Sequence, residues 1–133
     1  MSIYRVARTF LSKIRKRCYY WIDIVRVRVS GLIFNKYVIR KVIEEYSFQF
    51  CITDLCAKQW YDDERISTPE TAFIKEYLLK GGDIVADCGA HHGLVTLLAA
   101  KRIGPGGHVF SFEALPRNVD AININIELNN IEN

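Results

Sequence analysis

Long uncharged apolar runs and closely spaced cysteine pairs are both absent from this sequence of 133 residues. No window approaches the roughly 18 uncharged apolar residues of a membrane span, and the N-terminus carries basic residues throughout, without the apolar core of a signal peptide. The four cysteines contain no C-x-x-C pair, so the sequence indicates neither a zinc site nor a disulfide framework. We therefore predict a soluble protein of a reducing, cytoplasmic compartment.

The length and the composition are those of one globular domain, but the charge is unevenly distributed. Hydrophobic residues make up 50% and charged residues 25% of the chain, which is ordinary for a globular protein. Residues 1–46 hold 11 Lys and Arg against 3 acids, whereas residues 47–133 hold 7 against 12. We therefore divide the chain into a basic N-terminal extension, 1–46, and a domain, 47–133, of opposite net charge.

The N-terminal segment, residues 1–17, has the periodicity of a basic amphipathic helix. Its apolar positions recur at helical spacing and are Ile3, Val6, Ala7, Phe10, Leu11 and Ile14. Such a helix either makes a weak contact with an anionic membrane surface or another polyanion, or lies solvated on its own domain; nucleic acid is not an expected partner. Residues 25–29 alternate like a half-buried strand, residues 37–46 favour a helix, and residues 48–53 favour a short strand.

A regular order of helices and strands begins near residue 67. Thr68 followed by Pro69 predicts a helix to about Lys80, and Ser67 with Glu70 offers an alternative capping box. The apolar face of this helix is predicted to be Phe73, Ile74, Tyr77 and Leu78. A buried strand at 83–87, a helix at 93–102, a turn at 104–107 and a second strand at 108–112 follow. The segment from 116 alternates over "AININIE", but its leading proline and its place after a strand favour a helix.

The stretch "DCGAHHG", residues 87–93, stands between the first of these strands and the helix after it. A glycine-bearing turn there exposes backbone amides and the positive end of the helix dipole at the carboxyl edge of a parallel sheet. Gly89 and Gly93 leave room for a ligand against the backbone, Asp87 offers a carboxylate, and Glu113 falls at the end of the next strand, where an acid can bind ribose hydroxyls. The glycines do not fit G-x-G-x-x-G, and Asp87 would repel a pyrophosphate. The charges therefore favour S-adenosylmethionine over NAD.

The remaining residues of the turn are Cys88, His91 and His92. Two adjacent histidines rarely chelate a metal together, so no metal site is predicted. A general base is a weaker interpretation of the pair than a solvent-facing or helix-capping role. Cys88 is interpreted as a small packed hydrophobe rather than a nucleophile.

The segment "GGDIVADCGAHHGLVTLLAAKRIGPGGHVFSFEALPRNVDAININIELNN" resembles the cofactor-binding part of the FkbM family of class I S-adenosylmethionine-dependent methyltransferases. The resemblance covers about residues 67–130 and includes the Pro-Glu helix start, the D-x-G-A-x-x-G loop, the G-P-G-G turn and "FEALPRN". It implies an α/β chain with the first two strands and flanking helices of a Rossmann-like fold. It further implies that the cofactor is bound by Asp87, Gly89, Ala90, Gly93, Glu113, Ala114 and Leu115.

Two departures from the family qualify what the resemblance implies. His91 and His92 stand where the family more often has asparagine and an aliphatic residue. The resemblance also ends before the third strand of a seven-stranded sheet, and the later strands supply the acceptor pocket, so we expect a truncated chain that transfers no methyl group alone. In the family the acceptor is an oxygen, often on a sugar, another small molecule or a glycan. Two alternatives stay open: a membrane-surface or polyanion-binding module acting through residues 1–17, and a fragment of an NAD-dependent oxidoreductase.

Overall fold

A computed structural model of the chain describes residues 34–62 and 68–133. These residues form four strands, four α-helices and one π-helical turn. One antiparallel and one parallel pair of strands give a mixed α/β architecture. The basic helix predicted at 1–17, the alternating segment 25–29 and Ser67 lie outside the described residues. Within the described ranges, no helix is both long and apolar enough to cross a membrane.

The described chain begins with a β-hairpin. β1 (Tyr37–Ile43) pairs antiparallel with β2 (Tyr46–Ile52), and Glu44 turns the chain in the left-handed region at φ 55°. The helix predicted over 37–46 is therefore wrong, while the strand predicted over 48–53 is confirmed. Side chains along β1 alternate between exposed and partly buried, and this period of two, together with the pairing to β2, favours the strand. The boundary placed after residue 46 falls within this hairpin.

A short helix absent from the sequence prediction follows the hairpin. α1 (Leu55–Tyr61) begins after Asp54, whose carboxylate accepts a hydrogen bond from the Ala57 amide at 2.7 Å. An aspartate in this position satisfies one of the amides that a helix start leaves unpaired. Tyr61 is buried at the other end of α1, with its ring centroid 5.3 Å from that of Phe50 in β2. The helix is thereby fixed to the hairpin.

The helix predicted from Thr68 begins there but changes its winding after one turn. α2 (Pro69–Phe73) has Thr68 as N-cap and Thr71 as the other half of the capping box, and the π-helical turn Ile74–Leu78 continues it. Of the four predicted core residues of this helix only Ile74 is buried; the exposed ones are Phe73, Tyr77 and Leu78. That part of the prediction is wrong. A π turn holds more residues than an α turn and so rotates Tyr77 and Leu78 away from the expected face, whereas Phe73 lies before that turn and is already exposed on α2.

The second half of the described chain follows the predicted order. β3 (Ile84–Cys88), α3 (Leu94–Ile103), β4 (His108–Phe112) and α4 (Pro116–Leu128) succeed one another, and β3 pairs parallel with β4 from Ile84 opposite His108 to Cys88 opposite Phe112. After α4 the chain returns to β4, where the Val109 amide donates to the Asn133 carbonyl at 2.9 Å. The predicted strand, helix, turn, strand and helix are confirmed.

Within residues 34–62 and 68–133, the parallel pair is covered on one face only. Its covered face contacts α3, which lies between the parallel pair and the hairpin and buries Leu97, Leu98 and Ala99 completely. On the opposite face the exposed side chains are Ile84, Ala86, Cys88, His108, Phe110 and Phe112. The strand predicted at 83–87 is therefore confirmed, but only one of its two faces is buried. The prediction that Cys88 is packed is wrong, since its side chain belongs to the open face.

Asn125 in α4 and Asn129, the residue that ends this helix, connect the outer edge of β2 to the rest of the molecule. Asn129 accepts from the Gln49 amide at 2.9 Å and donates to the Gln49 carbonyl at 2.7 Å. Asn125, which is completely buried, accepts from the Cys51 amide at 2.7 Å and donates to the His92 carbonyl at 2.8 Å. The two amides thus take the place of a neighbouring strand, because they satisfy backbone groups of β2 that face away from β1.

Candidate functional site

The loop between β3 and α3 combines three left-handed backbone positions. Gly89, His91 and Gly93 have φ angles of 86°, 53° and 88°. The amides of Gly89 and Ala90 donate to the Phe112 carbonyl at 2.8 and 3.1 Å, which fixes the loop to the end of β4. A Cβ at Gly89 would have no heavy atom within 4 Å, so this glycine is required by its φ angle and the space beside it is open.

Glu113 joins the end of β4 to this loop. One carboxylate oxygen accepts from the His91 amide at 2.9 Å and the other accepts from the Leu115 amide at 2.8 Å. The pKa of Glu113 is lowered by hydrogen bonds to its carboxylate. The largest contribution comes from the Leu115 amide, followed by the His91 amide and the Asn118 side chain. Because each carboxylate oxygen has a second lone pair, Glu113 is an ionised group that can still accept hydroxyl donors. The sequence prediction that Glu113 and the glycine loop lie together is thus matched by the geometry.

The side chain of Asp87 belongs to the covered face of β3, between the exposed residues Ala86 and Cys88. Asp87 is 9% exposed, and its carboxylate accepts from the Thr96 hydroxyl at 2.6 Å, while that hydroxyl is also 2.8 Å from the Ser111 hydroxyl. These contacts connect β3, α3 and β4 beneath the loop. Asp87 therefore holds the helix to the two strands.

The other predicted cofactor-binding residues differ in their accessibility. Ala90 is 5% exposed within the loop, whereas Ala114 is exposed and Leu115 is 47% exposed beyond the end of β4. Ala114 and Leu115 thus lie at the surface beside the Glu113 carboxylate. A flat apolar group of a ligand can reach them there without displacing the core.

His92 is a core residue, so the solvent-facing role predicted for it is wrong. His92 is 1% exposed, and its Nε2 is 2.7 Å from the Thr53 hydroxyl, while its Nδ1 has no hydrogen-bond partner among the described residues. Burial, followed by the charge of His91, lowers the pKa of His92 to about 4. The partner, Thr53, is 39 residues away in the sequence, which is why the sequence did not show this burial.

His91 is half-buried and stacks on the ring of Tyr61. The two ring centroids are 5.7 Å apart at 13°, and the Tyr61 hydroxyl is 3.1 Å from Nδ1 of His91. Burial is the largest cause of a lowered pKa at His91, and burial also raises the pKa of Tyr61 to about 12. Both groups are therefore neutral near pH 7. No group of three or more metal-ligating side chains occurs in the described part of the chain.

Sequence reasoning did not identify Trp60 or Tyr61 as neighbours of the glycine loop. Trp60 is 70% exposed, and its ring centroid is 6.3 Å from that of His91. The sequence "TDLC" at 53–56 could have indicated the start of α1, because Thr and Asp are both good N-cap residues. Only the fold, however, brings the end of α1 to the loop after β3.

Comparisons of this chain with protein-family models, with curated proteins and with solved structures gave no match. The functional proposal below is therefore based on the geometry of the glycine loop and Glu113, together with the motifs of residues 67–130.

Proposed function

We propose that this chain is the cofactor-binding part of an S-adenosylmethionine-dependent methyltransferase of the FkbM type, which methylates a hydroxyl oxygen of a sugar, another small molecule or a glycan. The observation that carries the proposal is the bond of 2.9 Å between the His91 amide and the Glu113 carboxylate. It joins the glycine loop and the ribose-binding acid, the two elements that such a site needs. The partial Rossmann-like arrangement belongs to the same proposal, supported by the parallel pair β3 and β4 and by the return of the chain to β4 at Asn133.

The residues of the loop fit the proposed cofactor. The open space beside Gly89 can take an uncharged or cationic ligand that lies on the backbone. Glu113, as an ionised acceptor, suits the two hydroxyls of a ribose. The glycine spacing G-x-G-x-x-G that holds the pyrophosphate of a dinucleotide is, in contrast, absent from the loop "DCGAHHG". S-adenosylmethionine therefore fits this loop better than NAD does.

Each described residue of the site has a role in binding rather than in bond making. The cofactor, when bound, supplies a methyl group made electrophilic by a sulfonium sulfur. Glu113 would fix the ribose, Gly89 would leave room for the chain that carries the sulfur, and Asp87 would hold α3 in place through Thr96. Methyl transfer gains chiefly from such alignment of donor and acceptor, so these residues would act by orientation. The structure assigns no acceptor-side base among them.

Calorimetric titration of the chain with S-adenosylhomocysteine, the demethylated product, tests this proposal, with NADH as the competing ligand. We expect binding of S-adenosylhomocysteine and none of NADH. Glu113→Gln should weaken that binding about 10- to 100-fold, since hydrogen bonds to a charged group contribute about 1.5–3 kcal/mol. Glu127→Gln, an exposed acid on α4, is the matched control and should bind like the wild type. A folded wild-type chain that binds NADH but not S-adenosylhomocysteine would contradict the proposal.

A further inference from the structure

A column of aromatic rings runs from the core of the hairpin to the surface at the glycine loop. Phe50 is completely buried, and its ring centroid is 5.3 Å from that of Tyr61. Tyr61 stacks on His91 at 5.7 Å, and His91 is 6.3 Å from Trp60. Each ring is therefore supported by one that is more deeply buried. The outermost two, Trp60 and His91, form what we term the aromatic corner.

The aromatic corner is held in place although its outer ring faces solvent. His91 is fixed through its backbone, whose amide donates to Glu113, and through its ring, which lies on Tyr61. Trp60 is 70% exposed at the last turn of α1. An indole is the largest apolar side chain and is usually buried to a high degree. An exposed indole face beside a ligand loop is consequently available for a ligand.

The charges around the aromatic corner favour a positive ligand group. The indole and imidazole are neutral near pH 7, since burial keeps the pKa of His91 below its usual value. The ionised Glu113 is bonded to the backbone of the same residue, His91. The other charges that act on His91 are the buried Asp54 and Arg117, which form an ion pair at 4.0 Å. The electron-rich face of an indole attracts a cation, and the ionised Glu113, whose charge acts on the neighbouring His91, adds to that attraction.

We propose that the aromatic corner binds the positively charged sulfonium end of the methyl donor, and that Trp60 thereby distinguishes the charged donor from its neutral product. This inference depends on the proposed function, because it assigns one part of the same cofactor to Trp60 and His91. Glu113 fixes the ribose, and the adjoining sulfonium then lies toward the glycine loop and the indole. The product has lost the positive charge, so its formation removes this one contact with Trp60.

Separate titrations with S-adenosylmethionine and S-adenosylhomocysteine test the inference. Trp60→Leu should weaken binding of the charged donor about two- to five-fold more than binding of the neutral product, the range expected for a cation–π contact at an exposed site. Trp60→Phe keeps an aromatic face and should retain most of the preference. Phe73→Leu removes another exposed ring, one that stacks on Tyr77 in the neighbouring helical segment, and should change neither affinity.

The outcomes separate this inference from the proposed function. Equal weakening of the binding of both ligands in Trp60→Leu would show that the ring stacks on the adenosine that they share, and unchanged binding would show that the ring makes no contact. Either result overturns the inference. The proposed function would still stand if ligand binding depends on Glu113. If the folded wild type binds neither ligand, both proposals fail. Circular dichroism of each variant checks its folding, which an exposed side chain such as Trp60 should affect little.

Discussion

Replacement of Asn125 by alanine should be among the most destabilising changes in the described part of the chain. Its side chain is completely buried and bridges three elements, since it accepts from the Cys51 amide in β2 and donates to the His92 carbonyl beside α3, while its backbone belongs to α4. Alanine removes both hydrogen bonds. The Cys51 amide and the His92 carbonyl would then be left without these partners.

The expected loss can be worked out from those two groups. Each buried polar group that loses its partner costs about 1–3 kcal/mol, so the two together lower the free energy of unfolding by about 2–6 kcal/mol. The higher helix propensity of alanine offsets this by only about 0.6 kcal/mol. Asn123, exposed on the same helix, is the matched control. Asn123→Ala should gain that propensity and lose nothing, and so be at least as stable as the wild type.

Urea unfolding followed by far-ultraviolet circular dichroism measures the difference. With a slope of about 1–3 kcal/mol/M for a small protein, Asn125→Ala should lower the unfolding midpoint by about 1–2 M while leaving the slope unchanged. Equal midpoints for Asn125→Ala and Asn123→Ala would refute the reasoning. They would show that the bridging amide contributes no net free energy.

Three further predictions concern packing, pH and self-association. Gly107→Ala should lower the free energy of unfolding by about 1–3 kcal/mol, because a Cβ there would lie 2.5 Å from a backbone carbonyl and 2.8 Å from a buried isoleucine; Gly106→Ala, whose nearest heavy atom would be 3.9 Å away, is the control in the same thermal melt. The unfolded chain binds more protons than the folded one between the ordinary pKa of His92, 6.5, and its folded pKa of about 4, so stability should be constant above pH 6.5 and fall by up to about 3 kcal/mol as the pH is lowered to about 4. His92→Gln should flatten that profile in urea titrations, and an unchanged profile would assign the pH dependence to other groups. The exposed apolar side chains of the open face should make the chain self-associate at rising concentration in light scattering. Ile84→Lys, on that face and 78% exposed, should reduce this self-association more than Leu55→Lys on α1, and equal effects would show that the open face is not the associating surface.

The second half of the fold could be predicted because its signals are local. Thr68 with Pro69 starts α2, and the glycines and the proline at 104–107 separate α3 from β4. The pairing of Glu113 with the glycine loop followed from one rule, namely that the carboxyl ends of neighbouring parallel strands meet at one edge of the sheet. The positions of Gly89, Ala90 and Gly93 follow from the same rule.

The features that sequence reasoning missed depend on distant partners. The strand β1 carries Arg40 and Lys41 in a segment with helix-like spacing, and it becomes a strand through pairing with β2. The buried ring of His92 has its hydrogen-bond partner in Thr53, 39 residues earlier in the chain. None of these contacts has a local sequence signal. Tertiary packing overrode the local preference in each case.

The asparagine bridges of α4 determine which parts of the molecule open together in hydrogen exchange. The amide protons of Gln49 and Cys51 are bonded to Asn129 and Asn125, not to β1. Fraying of the hairpin alone would leave these two protons protected, and they would exchange with deuterium only when α4 moves away. A substitution that loosens α4 would therefore be detected first as faster exchange in β2, about 75 residues earlier in the chain.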